Sequence, residues 1–215
     1  MKKIMFNDRF GLTDAVIEGR KTMTRRLINP PKHLGDTHEL ECLLGNPEDS
    51  DKLRVYWFGG VVNTDWTNAV ILGSTPIPYQ VGEDVALAQP YKNIIAAITP
   101  TYGSPHAYDH LRSEAGWNNK MFVRTDLMPH RIKITNVSVE RLQSISDEDC
   151  MKEGVTKNKF RDFPQEMFYP YAGCKDTEVM WYPRAAFSIL IDRVSGRGTF
   201  GQNPWVLVYE FELVK

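Results

Sequence analysis

From Arg131 to Leu142 the side chains alternate: Ile132, Ile134, Val137 and Val139 are apolar, with Lys133, Thr135, Ser138 and Glu140 between them. A period of two is the signature of a strand with one face on a core and the other in solvent. A strand of this length leaves two rows of backbone donors and acceptors to be satisfied, so the chain must build a sheet around it. The alternation slips at Asn136, which predicts a bulge. Trp205 to Val214 repeats the pattern with Val206, Val208, Phe211 and Leu213 as the inward positions, and reads as a closing strand. Shorter extended runs lie at Lys3 to Phe6 and at Val85 to Ala88, the second entered through a turn at Gly82. Together they predict an α+β fold whose centre is a mixed, mostly antiparallel β-barrel with flanking helices.

Three helices have readable ends. Thr13 or Asp14 caps a short helix through Leu12, Ala15 and Val16 that stops at Gly19. Ser146 caps a second with the acidic first turn Asp147-Glu148-Asp149, ending at Glu153-Gly154. The longest starts near Tyr182 with Pro183 in its first turn and carries Ala186, Ile189, Leu190 and Val194 as its stripe. Residues 29–74 and 93–119 mix Gly, Pro and polar residues without a sustained period. They read as two surface inserts in one domain spanning 1–215, although 53–63 has the form of a hairpin about Gly59-Gly60.

Composition removes several function classes. The net charge of −1 over 215 residues argues against general duplex binding, so any nucleic-acid contact must come from local clustering. No apolar run approaches the length of about 18 residues that a membrane helix needs, and the first residues meet charge too early for a signal segment. A cytoplasmic protein is therefore expected. Cys42, Cys150 and Cys174 lack CxxC spacing and read as reduced thiols. His106-x-x-x-His110 and the group His33, His38 and Cys42 lack a completing ligand, so no metal and no cofactor is expected. Gly196-x-Gly198-x-x-Gly201 follows a helix and precedes a strand, the reverse of a dinucleotide fingerprint.

Chemistry concentrates at Glu18-Gly19-Arg20-Lys21-Thr22-Met23-Thr24-Arg25-Arg26, which holds four cations and two hydroxyls. It reads as a basic corner that handles an anion or a polar substrate, or as a merely solvated one. A regular strand would put Lys21, Met23 and Arg25 on one face and Thr22, Thr24 and Arg26 on the other. Lys21 and Thr24 can share a site only if the backbone turns between them. Glu153 is also out of place, since the helix dipole opposes an acid at a helix C-terminus. Lys157 to Tyr171, basic and aromatic in alternation, reads as a loop.

These stretches carry a family resemblance: Gly19 to Arg26; Tyr79-Gln80-Val81-Gly82-Glu83 before a strand; Val137 to Leu142 leading to Ile145-Ser146-Asp147-Glu148-Asp149 and Glu153-Gly154; and Asn203-Pro204-Trp205-Val206. In order and spacing the chain resembles the ASCH domains of the PUA-like superfamily, small β-barrels flanked by helices. The resemblance implies a cleft that binds RNA or a modified nucleotide, with Arg20, Arg25, Arg26 and Tyr79 as binding residues. As the alternative, it implies an amidohydrolase acting on N4-acylated cytidine or a similar small amide. In N4-acetylcytidine amidohydrolases of this family a Lys, a Thr and a Glu are catalytic, and the matching positions are Lys21, Thr24 and Glu153. Compact members lack counterparts of 29–74 and 93–119.

Overall fold

In a computed structural model, which describes residues 1–34, 40–45, 52–59, 70–102, 106, 108–159 and 166–214, the two alternating runs lie side by side. In chain order the elements are β1 (Lys3–Ile4), α1 (Leu12–Ile17), β2 (Met23–Leu27), β3 (Leu40–Gly45), β4 (Arg54–Gly59), β5 (Ile71–Pro76), β6 (Asp84–Leu87) and α2 (Tyr91–Tyr102). They continue with β7 (Arg131–Arg141), α3 (Asp147–Lys152), β8 (Thr156–Lys159), β9 (Glu166–Tyr169), α4 (Pro183–Ser195), α5 (Thr199–Gln202) and β10 (Trp205–Val214). The fold is α+β. Its main sheet has the order β1-β6-β7-β10-β2, with β1 parallel to β6 and the other pairs antiparallel.

The ladder does not close into a barrel among the described residues: β1 and β2 are its two ends. A side chain spans the seam, because Arg26 Nη2 donates to the Met5 carbonyl at 2.7 Å. The bulge expected at Asn136 is present, since the β7–β10 register shifts between Glu210 and Phe211 and leaves Thr135 unpaired. β10 pairs on both edges and is covered on both faces. Leu207, Tyr209 and Phe211 join a core with Ile4, Phe6, Ile132, Ile134 and Val137, while Val206 and Val208 pack with Cys150, Phe187 and Ile191 of α3 and α4. Alternation alone assigned this strand one inward face; a central strand with cover on both sides has two.

Residues 29–74 do not sit outside the core as expected. β3, β4 and β5 form their own antiparallel sheet, and Leu40, Cys42, Val55 and Trp57 are buried in the main core. The turn and second strand of the hairpin expected about Gly59-Gly60 lie outside the described residues; β4 pairs with β3 and β5. The stretch 93–119 also departs from expectation. Most of α2 lies within it, together with short 3-10 turns, and Tyr91, Ile94, Ile98 and Leu111 form a core with Ala86 and Ala88. β6 is thus buried on both faces, Val85 and Leu87 toward one core and Ala86, with Ala88 just beyond the strand, toward the other. Small residues there leave room for α2.

Gly116 shows how tight this second core is, since a Cβ built on it would lie 2.5 Å from Tyr91 Cε2. Gly116→Ala is therefore expected to cost about 1–3 kcal/mol by overpacking, seen as a lower urea midpoint at unchanged m-value.

Two further readings are corrected. Lys157 to Tyr171 is not simply a loop: β8 and β9 pair antiparallel, while Phe160, Arg161 and Phe163 fall outside the described residues. In α4 the buried residues are Pro183, Ala186, Phe187, Leu190 and Ile191, and Val194 is exposed. Burial pushes the Cys42 and Cys150 thiols up to about 12. Among the described residues no helix is long and apolar enough to cross a membrane, and no cluster of His, Cys, Asp and Glu could hold a metal ion.

Candidate active site

The site begins where α1 ends. Gly19 takes φ +72°, a left-handed conformation that glycine adopts freely. The amides of Arg20 and Lys21 then both donate to the Ala15 carbonyl, at 2.8 and 2.9 Å. This folds the chain back under the helix end and places Lys21 ahead of β2, where strand alternation does not govern it. Thr22 is pinned on two sides: its amide donates to the Lys152 carbonyl at 3.0 Å, and its carbonyl accepts from the Phe211 amide at 2.9 Å. From Met23 onward the ladder with β10 sets direction, with Thr24 opposite Tyr209 and Arg25 opposite Val208. The turn needed to bring Lys21 and Thr24 together is thus supplied. Both line a cavity of about 300 Å³, together with Phe6, Asn7, Leu12 and Arg26.

The second half comes from α3. Ser146 Oγ accepts from the Asp149 amide at 3.1 Å, as its sequence foretold, and Gly154 at φ +109° ends the helix. Glu153, at the C-cap, is only 4 % exposed. The Lys21 ammonium reaches both acceptors this helix end offers, donating to Glu153 Oε2 at 2.6 Å and to the Glu153 carbonyl at 2.7 Å. That contact explains an acid where the dipole disfavours one: a buried cation sits against it.

Arg25, from β2, reaches the same carboxylate. Its Nη1 lies 3.2 Å from Glu153 Oε1, its Nε 2.8 Å from Glu140 Oε1 and its Nη2 3.2 Å from Asp149 Oδ2. Burial disfavours its charge, but Glu153, Glu140 and Asp149 outweigh that and hold its pKa above the ordinary value. Lys21 behaves oppositely. Burial lowers its pKa; Glu153 resists, and Arg26 and Arg25 add to the lowering. Arginine stays protonated at any ordinary pH, so Glu153 keeps a counter-charge even when Lys21 gives up its proton.

Other expected site residues are placed elsewhere or are occupied. Arg20 is exposed, paired with Glu18, and does not line the cavity. Tyr79 does not line it either: its hydroxyl donates to the Lys3 carbonyl at 2.8 Å and its ring stands edge-on to Tyr209. Arg25 lines it but is committed to three carboxylates, which leaves Arg26 as the cavity arginine with capacity for a ligand. Arg26 lies beside the Phe6 ring, and its Nε is buried without a hydrogen-bond partner. No hydrogen bond among the described residues engages the Thr24 hydroxyl.

Sequence reasoning missed Glu140 and Asp149 as partners of Arg25, and missed Phe6 and Asn7 as cavity walls. Asp149 had a sufficient explanation as part of a favourable first turn, and Glu140 as an outward strand position. For Phe6 and Asn7 no local signal existed, because the seam between β1 and β2 brings them in. The arrangement can offer a hydroxyl, a lysine whose proton is loosened by burial, and a carboxylate to orient it. No protein-family model, no curated protein and no solved structure matches the chain.

Proposed function

We propose that this chain is an ASCH-type amidohydrolase that cleaves N4-acylated cytidine or a similar small amide. One observation carries the reading: Lys21, buried and bonded to Glu153 at 2.6 Å, opens onto the same cavity as the unengaged hydroxyl of Thr24. Thr24 Oγ adds to the acyl carbon while its proton passes to the Lys21 amine. Collapse of the adduct breaks the C–N bond, and the leaving nitrogen takes that proton. Water then releases the acyl group from Thr24, again with Lys21 accepting a proton and returning it to the hydroxyl. Glu153, held by Arg25 at 3.2 Å, orients the amine. The five-stranded sheet fits an opened PUA-like barrel, with the Arg26 to Met5 bond spanning the seam where closure would occur.

A second reading, binding of RNA or a nucleotide without turnover, is favoured by Arg26, whose unpartnered buried Nε suits an acceptor on a ligand. The test is incubation of the purified protein at high concentration with N4-acylcytidines, followed for release of the amine product. Hydrolysis abolished by Glu153→Gln in a variant of unchanged circular dichroism supports the enzyme. No hydrolysis with retained nucleotide or RNA binding overturns it and leaves the binding reading.

A further inference from the structure

A second cavity of about 300 Å³ adjoins the candidate site and shares Leu27 and Ser195 with it as walls. Its lining differs in kind. The Arg141 guanidinium stacks 4.4 Å from the centroid of the Trp205 indole, and Asn29, Thr199 and Gln202 stand around this flat surface. Both members of the stack are held by one atom: the Leu40 carbonyl accepts from Trp205 Nε1 at 2.9 Å and from Arg141 Nη2 at 3.3 Å. Leu40 belongs to β3, so the small sheet of residues 40–76 positions this wall. Trp57 of β4, fully buried, lines it too. The side-chain amides of Asn29 and Gln202 have no hydrogen-bond partner among the described residues.

We infer that this cavity is a subsite for a neighbouring nucleobase, so that the preferred substrate is a cytidine within a short single strand and not the free nucleoside. The inference rests on the nucleoside chemistry proposed above. A stacked arginine and tryptophan offer a flat, polarisable surface that any base can lie against, and two free amides offer donors and acceptors to a base edge. Leu27 and Ser195 border both cavities, so the two lie next to one another along the chain's surface. In this reading the small sheet extends the substrate that the site accepts.

The experiment compares N4-acetylcytidine with dinucleotides that carry the acetylated cytidine at the 5′ or the 3′ position. In the wild type, kcat/KM for one of the two dinucleotides is expected to exceed that for the nucleoside by about tenfold or more, the worth of one stacked base. Arg141→Gln and Gln202→Ala should each bring that ratio toward one; the exposed Gln202 serves as the variant that keeps the fold. Equal kcat/KM for all three substrates, or a preference that survives in both variants, overturns the subsite. Calorimetric titration with unacetylated cytidine and the corresponding dinucleotides gives the same contrast without turnover. Absent hydrolysis therefore sinks the amidohydrolase alone, while equal affinities for cytidine and both dinucleotides sink the subsite.

Discussion

Lys21→Met and Thr24→Ala are each expected to lower kcat on an N4-acylated cytidine by about a hundredfold or more, the range for loss of a positioned base. The double variant should be little worse than either single one, since a nucleophile and its base act as a unit. The pH profile gives the sign. The working form is the neutral amine, so the rate rises as pH rises through the pKa of Lys21. Burial, with help from Arg26 and Arg25 and against the pull of Glu153, sets that midpoint below the ordinary lysine value. A flat profile, or one that falls with pH, would remove Lys21 as the base. Thr24→Ala deletes no charge, so its melting temperature should stay close to the wild type while its turnover is lost.

The largest loss of stability is expected from Arg25→Met. The guanidinium is almost fully buried and touches Glu153, Glu140 and Asp149, so its removal leaves clustered carboxylates of which Glu153 keeps Lys21 and Asp149 keeps Lys152. Breaking a buried pair from one side costs about 3–5 kcal/mol, and urea unfolding at neutral pH measures it. Arg25→Lys should not rescue much of this, because one ammonium cannot reach three carboxylates at once. Acid should narrow the gap between wild type and Arg25→Met. Asp149 illustrates why: although burial works against its charge, Lys152 and Arg25 hold its pKa below the ordinary 3.8, so its contribution is complete above that value and fades as pH falls further. A gap of the same size at neutral and acidic pH would show that the guanidinium acts by packing alone.

The long strands and the caps were legible because their signals are local. The alternation of β7, its slip at Asn136, and the Ser146 and Gly154 ends of α3 follow from neighbouring residues in sequence. The second buried face of β10 was not legible, since what lies over Leu207 and Tyr209 is decided by distant segments. The same holds for residues 29–74, whose polar and turn-rich sequence hides the few positions, Leu40, Cys42, Val55 and Trp57, that reach the core. At the site, the resemblance brought Lys21, Thr24 and Glu153 forward, and the geometry puts the lysine against the glutamate and the threonine on the same cavity. What the residues alone could not apportion was charge: the cations of Arg20 to Arg26 look equivalent until carboxylates from β7, α3 and its C-cap claim Arg25, Glu18 claims Arg20, and Arg26 is left facing the cavity.

β2, which carries Thr24 and Arg25, has β10 as its ladder partner, and β10 is synthesised long after it. Thr22 must wait for Lys152 and Phe211 before its backbone is fixed. Pairings so distant in sequence close slowly. The chemistry of the pocket therefore waits for β10, and a nascent chain halted before residue 205 would carry every candidate catalytic residue without the strand that aligns them.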